Sequence, residues 1–320
     1  MKVLRWAAFF LLWTSAGLAT ADPDPYILVK TGRADAALRA LSAAVAQSPN
    51  DARAYNLLCR VYFQLELWDD SVKACEKAVA LDPQSSSYHQ WLGRAMGRKA
   101  EFANPLTAFN LARKVKSEFE RAVALDGNNL SARSDLCEFY LEAPAILGGD
   151  KSKARQQAAA VAKIDPALGS AMLARVEEKL NRVAPAEAQY KKAVAQSSAP
   201  SHYWMELAGF YRRSGRINDM EKAASQSLSL LHEGDVAEFE VADLLLRGGR
   251  NFDGAIKALR DYVAQEAPSE DGPVFHAYYI MGTLLEKQGR RKEAAAAFKS
   301  ALELASQYKP ARDALARVSR

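Results

Sequence analysis

The feature that most constrains this chain is that it writes one helical hairpin several times. Residues 54–83 read AYNLLCRVYFQLELWDDSVKACEKAVALDP, and residues 277–304 read AYYIMGTLLEKQGRRKEAAAAFKSALEL. Each stretch holds two amphipathic runs joined by a short polar turn. Aligned on Ala78 and Ala301, they keep step throughout: Tyr55 with Tyr278, Leu58 with Met281, Cys59 with Gly282, Tyr62 with Leu285, Ser71 with Ala294, Cys75 with Phe298. A third copy, YWMELAGFYRRSGRINDMEKAASQSL, supplies Trp204, Leu207, Ala208, Tyr211, Gly215, Met220 and Ala224. A lone hairpin cannot bury its apolar face, so hairpins written in series must stack. Small residues such as Gly93, Ala208 and Gly282 let the facing helix approach; Trp204, Tyr211 and Phe298 fill the space between neighbouring hairpins. Gly215 and Gly289 suit turns that need left-handed backbone, and Pro49, Pro83 and Pro166 end one unit and open the next.

The shared positions resemble the tetratricopeptide repeat: large at the fourth, Leu at the seventh, small at the eighth, aromatic at the eleventh. Small residues follow at the twentieth and twenty-seventh, with Pro near the thirty-second. The resemblance implies an all-α fold, a right-handed α-solenoid (superhelix) of stacked antiparallel helix hairpins. Repeat starts fall at about Ala52, Ser86, Leu130, Ala167, Ser201, Val236 and Phe275, and the first step is the 34 residues of that family. The array is expected to span residues 22–305, opening with a partial repeat over 22–51 and followed by about seven repeats. Residues 306–320 read as a capping helix whose Arg312, Asp313 and Arg317 suit solvent. Two insertions break the period, near 100–110 and 142–150. The first is expected to give a loop and a longer second helix, and either could form a binding face. The long second helix of repeat two and the Gly-Gly loop of repeat three resemble exported bacterial members of the family, a likeness that implies no activity.

The first 21 residues, MKVLRWAAFFLLWTSAGLATA, have a charged start at Lys2 and Arg5, a short apolar run and the small-x-small ending Ala19-Thr20-Ala21. That pattern predicts a signal peptide cleaved after Ala21 and a periplasmic or secreted protein, with no integral membrane span after cleavage. The chain of 320 residues is 49% hydrophobic and 25% charged, ample for a core. Its net charge of +5 includes Lys2 and Arg5, and is too dilute for a nucleic-acid partner.

Three cysteines are present. Cys59 and Cys75 sit at inward positions of one repeat's two helices, so a disulfide is one reading and two buried thiols the other. Cys137 reads as packing. The GGDKSK run at 148–153 lacks the spacing of a phosphate loop, and Asp150 reads as a helix N-cap. His89, His202, His232 and His276 form no metal-ligand spacing and are expected to face solvent. No metal site, cofactor or catalytic set is expected, and the chain reads as a non-enzyme. An enzyme with its site in the inserted loops ranks last.

The sharpest functional expectation comes from the concave face. In the resembled family, the second, fifth, ninth, twelfth and thirteenth positions of each first helix line the groove. Here these include Arg53, Asn56, Arg60, Phe63, Gln64, Gln90, Arg94, Gly97 and Arg98, with Met205, Arg212 and Arg213 in repeat five. Arg60 and Arg94 share a position in adjacent repeats and should lie side by side. Arginine forks suit carboxylates, so the N-terminal half of the groove is expected to hold an acidic or C-terminal segment of a protein or peptide partner. Glu138, Glu142 and Glu178 interrupt the stripe. The Lys-Asn pattern of the chaperone-tail carboxylate clamp is not matched. A protein-interaction scaffold in the cell envelope is the favoured function, with a binder of anionic glycan as the alternative.

Overall fold

The computed structural model describes residues 24–231, 235–265 and 269–320. The expected leader and His232 lie outside these residues. The described residues form helices and no strands. A short hairpin comes first, α1 (Pro25–Lys30) and α2 (Ala34–Gln47). Seven full hairpins follow: α3 (Ala52–Gln64) with α4 (Trp68–Leu81), α5 (Ser86–Glu101) with α6 (Pro105–Leu125), α7 (Leu130–Glu142) with α8 (Lys151–Val161), and α9 (Pro166–Lys179) with α10 (Val183–Gln196). Then come α11 (Ser201–Arg213) with α12 (Ile217–Leu228), α13 (Ala237–Gly248) with α14 (Phe252–Val263), and α15 (Val274–Lys287) with α16 (Arg291–Leu304); α17 (Lys309–Val318) ends the chain. No helix among the described residues is long and apolar enough to cross a membrane.

Local sequence sets these boundaries. Asp51, Ser85, Asn129 and Asp165 each accept a backbone N–H from their helix's first turn. Asn104 and Pro105 open α6, whose 21 residues absorb the first insertion. Asp150 accepts from Ser152 and Lys153, capping α8 after the Gly-Gly loop. Turns between paired helices close on a left-handed residue: Gly32 and Glu66, then Asn181, Gly215, Gly249 and Gly289.

Inside each hairpin the eighth position of the first helix meets the second helix. A Cβ on Gly93 would lie 2.5 Å from the Phe119 ring, and a Cβ on Gly282 would lie 2.5 Å from Phe298. Phe298 is fully buried and Phe119 nearly so. In the first full repeat the structure joins the equivalent Cys59 and Cys75 as a disulfide, with Cα atoms 5.1 Å apart. Cys137 is a free buried thiol whose Sγ donates to the Ala154 carbonyl. Burial pushes its pKa up to about 12, so it stays protonated.

The ends of the array meet. Asp35 at the start of α2 accepts the Ser306 N–H, just past α16, with both carboxylate oxygens, at 3.1 and 3.0 Å. Arg60 on α3 grips Glu270, in the segment before α15, through Nε at 2.7 Å and through Nη2. Gln64 Nε2 donates to the Val29 and Glu270 carbonyls, both at 3.3 Å, and Tyr308 OH donates to Glu66 at 3.3 Å. Phe275 and Tyr308 belong to the same buried cluster as Leu28, Val29 and Leu41. Gly32 lies so close to Val274 that a Cβ would stand 2.6 Å from its backbone nitrogen. The sequence pointed to a long groove with a solvated cap at its end. The cap exposes Arg312, Asp313 and Arg317 and buries Ala311, Ala314 and Val318, while the groove does not stay open, because the solenoid returns on its own first hairpin.

Candidate functional site

Closure turns part of the concave face into a cavity of about 660 Å³. First helices α3, α5 and α7 supply most of its wall, and Glu270 to Pro273 with His276 supply the far side. Such a volume is in the range of ligand pockets. Its apolar wall is aromatic: Phe63 meets Trp68 and Trp91 edge-on at 5.4 and 5.6 Å, and α7 adds Phe139.

Arg94 lies on the wall and Arg60 beside it, with their guanidinium carbons 5.0 and 5.2 Å from the Trp91 ring centroid. Neither is free. Arg60 is held by Glu270, and its side chain is only 15% exposed. Arg94 forks onto Asp135, with Nε at 2.6 Å from Oδ2 and Nη2 at 3.2 Å from Oδ1, and also reaches Ser131. Gln90 is buried and donates to the same Ser131 and Asp135, both at 2.7 Å. Arg98 pairs with Glu101 and covers the Trp68 ring at 5.2 Å. Arg213 forks onto Glu178 at 2.6 and 3.0 Å. Burial would raise the Glu178 pKa, but Arg213 and Arg175 together hold it below the usual carboxylate range. Arg53 is exposed beside Asp24, whereas Asn56 is buried in the hairpin with its Nδ2 unpaired. Arg212 lines a different hollow, without a partner among the described residues.

The arginine stripe is therefore mainly internal mortar: these forks tie one repeat's first helix to the next, or the chain's beginning to its end. Seven carboxylates line the cavity against two arginines, and most of the seven are spent on Arg60, Arg94, Arg98, Arg175 and Lys179. That balance runs against the expected acidic segment at Arg60 and Arg94, because the carboxylates such a segment would bring are already there.

His89 and His276 differ from the solvent-facing expectation, whereas His202 is exposed. His89 is buried, with Nδ1 2.6 Å from Glu118. His276 is enclosed among Phe239, Phe275, Tyr279 and Tyr308, and burial pulls its pKa down to about 4. His202 stands 3.4 Å from Glu206 and 3.6 Å from Glu240, and these carboxylates push its pKa up to about 11. Sequence reasoning missed Trp68, Trp91, Phe139, Glu270 and His276 as cavity residues. The first three carry a local signal, bulky aromatics near the groove positions. Glu270 and His276 carry none, because only closure of the array brings them in.

Residues 28–95 and 239–309, near the two ends of the array, match tetratricopeptide repeat families. Among solved structures, the chain is similar to a thermophilic tetratricopeptide protein of Thermus thermophilus at 22% identity. That match covers 56% of this chain and 91% of the other, with a TM-score of 0.47. A tetratricopeptide repeat protein of Parabacteroides merdae matches at 12% identity over 92% of this chain and 96% of its own, TM-score 0.43. The pilF protein of Pseudomonas aeruginosa matches at 15% identity over 82% and 96%, TM-score 0.41. With its stacked hairpins, left-handed turns and two matched segments, the chain belongs to the tetratricopeptide repeat family.

Proposed function

We propose that this protein is an interaction scaffold of the cell envelope whose central cavity receives a segment of a partner protein. Arrays of this kind bind through extended inner surfaces rather than through catalytic groups. The observation that carries the reading is the cavity itself: about 660 Å³, walled by Phe63, Trp68, Trp91 and Phe139 and rimmed by carboxylates. Aromatic side chains that keep their faces near solvent offer anchoring area to a peptide. The surplus of carboxylates suits a basic segment better than an acidic one, and an anionic glycan meets the same objection. Export through a leader cleaved after Ala21 is part of the proposal, supported by the leader pattern and by the Cys59–Cys75 disulfide, a bond typical of oxidising compartments.

The test uses a plug. Gly97 faces the cavity, and the nearest atom to a Cβ there is 4.0 Å away, so Gly97→Trp adds bulk without disturbing closure. Wild type, Gly97→Trp and the distant Arg113→Gln are immobilised and exposed to envelope extract of the source cell. A partner retained by wild type and Arg113→Gln but lost from Gly97→Trp is the expected outcome. A partner that ignores the plug removes the cavity from the function. Sequencing the N-terminus of the natural protein checks the export part, with Asp22 expected first.

A further inference from the structure

The turns inside the hairpins fall on one edge of the array, and the links between hairpins fall on the other. Three consecutive turns of the first edge carry apolar side chains that the described residues do not cover. Phe102 and Leu106 stand at the α5–α6 turn, Ile146 at the α7–α8 turn and Val183 at the α9–α10 turn. They are the four most exposed large apolar side chains among the described residues, at 68%, 74%, 81% and 52%. The corresponding turns of the next three hairpins are polar: Ser214-Gly215-Arg216, Gly249-Arg250-Asn251 and Gln288-Gly289-Arg290. Both insertions thus feed this edge. The α5 helix has 16 residues against 13 in α3, and α6 has 21 against 14 in α4. The extra residues lie at the turn, so the α5–α6 tip projects about 5–10 Å beyond its predecessor at ~1.5 Å per residue.

We infer that this edge docks on an anionic lipid bilayer, with Phe102, Leu106, Ile146 and Val183 entering the acyl boundary and the neighbouring lysines meeting phosphate headgroups. The tips are convex and stand on separate turns. They offer no groove to a partner's side chains, whereas a fluid apolar layer accepts each one singly. The projection of the α5–α6 tip matches the depth to which interfacial segments sink, about 5–10 Å. Phe102 stacks on Trp68 at a centroid distance of 6.1 Å, which places an indole just behind the tip, where indoles favour the membrane–water boundary. Charge selects the lipid. The carboxylates beside these turns are engaged: Glu101 by Arg98, Asp69 by Lys99, Glu142 by Lys179, Glu177 by Arg155 and Arg182, and Asp150 by two backbone N–H groups. Lys151 and Lys153, exposed on the first turn of α8, have no carboxylate partner among the described residues. Lysines so placed beside inserted apolar side chains attract anionic headgroups. Docking here does not depend on what the aromatic cavity holds.

The test is vesicle flotation with the mature chain from Asp22, since the apolar run of the leader would bind lipid by itself. Vesicles of phosphatidylcholine mixed with phosphatidylglycerol are compared with vesicles of phosphatidylcholine alone. The chain is expected to float with the anionic vesicles and far less with the neutral ones. Leu106→Glu is expected to lower the partition coefficient about tenfold or more. Ile164→Glu, which puts the same charge on a half-exposed apolar site of the opposite edge, should change it by less than about twofold. The double variant Lys151→Gln/Lys153→Gln should lower binding to anionic vesicles about fivefold or more, and it decides the matter should Leu106→Glu fail to fold. No flotation with anionic vesicles, equal flotation with neutral ones, or a Leu106→Glu that floats as well as Ile164→Glu overturns the inference. So does unchanged anionic binding in the double lysine variant. A soluble envelope protein captured by wild type and lost from Leu106→Glu, with vesicles ignored, would give the edge to a protein and overturn it too.

Discussion

Gly282 and Gly93 show how much one missing methyl decides. Each has an aromatic ring where its Cβ would be, 2.5 Å away. Gly282→Ala should therefore cost about 1–3 kcal/mol through overpacking, visible as a lowered thermal midpoint. Gly97→Ala, on the same helix as Gly93 but with 4.0 Å of clearance, should do the opposite and add about 0.5–1 kcal/mol by stiffening the helix. If both substitutions moved the midpoint in the same direction, the packing account of position eight would be wrong. Cys59 and Cys75 fill these same two places in the first full repeat, 16 residues apart. Their bond replaces a ring-in-hollow contact by a covalent one, and a loop of that size is worth about 3 kcal/mol. Reduction should lower the midpoint of the wild type and leave that of a Cys59→Ala/Cys75→Ala variant unmoved.

Single helices carry opposite pH dependence. His202, on α11, lies against Glu206 of its own helix and Glu240 on α13, and its folded-state pKa of about 11 lies above the ordinary 6.5. Between those values the folded chain binds the extra proton, so His202's contribution is complete below about pH 6.5 and is lost as pH rises toward 11. His276, on α15, is held down to about 4, so the unfolded chain binds the extra proton and stability is lost as pH falls from 6.5 toward 4. The midpoint difference between wild type and His202→Gln should thus shrink from about pH 6 to pH 10. Against His276→Phe, wild type should lose ground from about pH 7 to pH 5. Flat differences in both comparisons would show these environments to be misassigned. The hairpins themselves were legible because their signals are local: apolar spacing, small residues at position eight, glycines at turns, Asp or Ser before a first helix. The histidine environments were not. Only Glu206, one turn on from His202, was in local view; Glu240 reaches His202 from another repeat, and Phe239 and Tyr308 reach His276 from other helices.

At the scale of the whole molecule, the arginine stripe was readable as a set of positions but not as a set of bonds. Arg94 finds Asp135 in the next repeat, whereas Arg60 finds Glu270, which lies 210 residues away in a segment without helical period. A charge reversal at Arg60 consequently tests closure before it tests any ligand. Arg60→Glu or Glu270→Arg alone should open the ring, enlarging the radius of gyration in solution scattering and costing about 3 kcal/mol or more, since both side chains are largely buried. The double exchange should restore much of both. Equal dimensions in all four proteins would mean that the apolar contacts around Phe275 and Tyr308 close the ring unaided.

The Asp35–Ser306 bond spans 271 residues and Tyr308–Glu66 spans 242. An ordinary repeat array contacts only its neighbours, so it can fold progressively behind whatever delivers the chain. Here the first hairpin can assume its final place only after the last repeat has emerged, which adds one slow, high-contact-order step to an otherwise local folding route. Until then Leu28, Val29 and Leu41 lack the Phe275 and Tyr308 side of their cluster. Trimming away Ser306 and Tyr308 therefore injures the beginning of the chain, and the two ends are inherited as one unit.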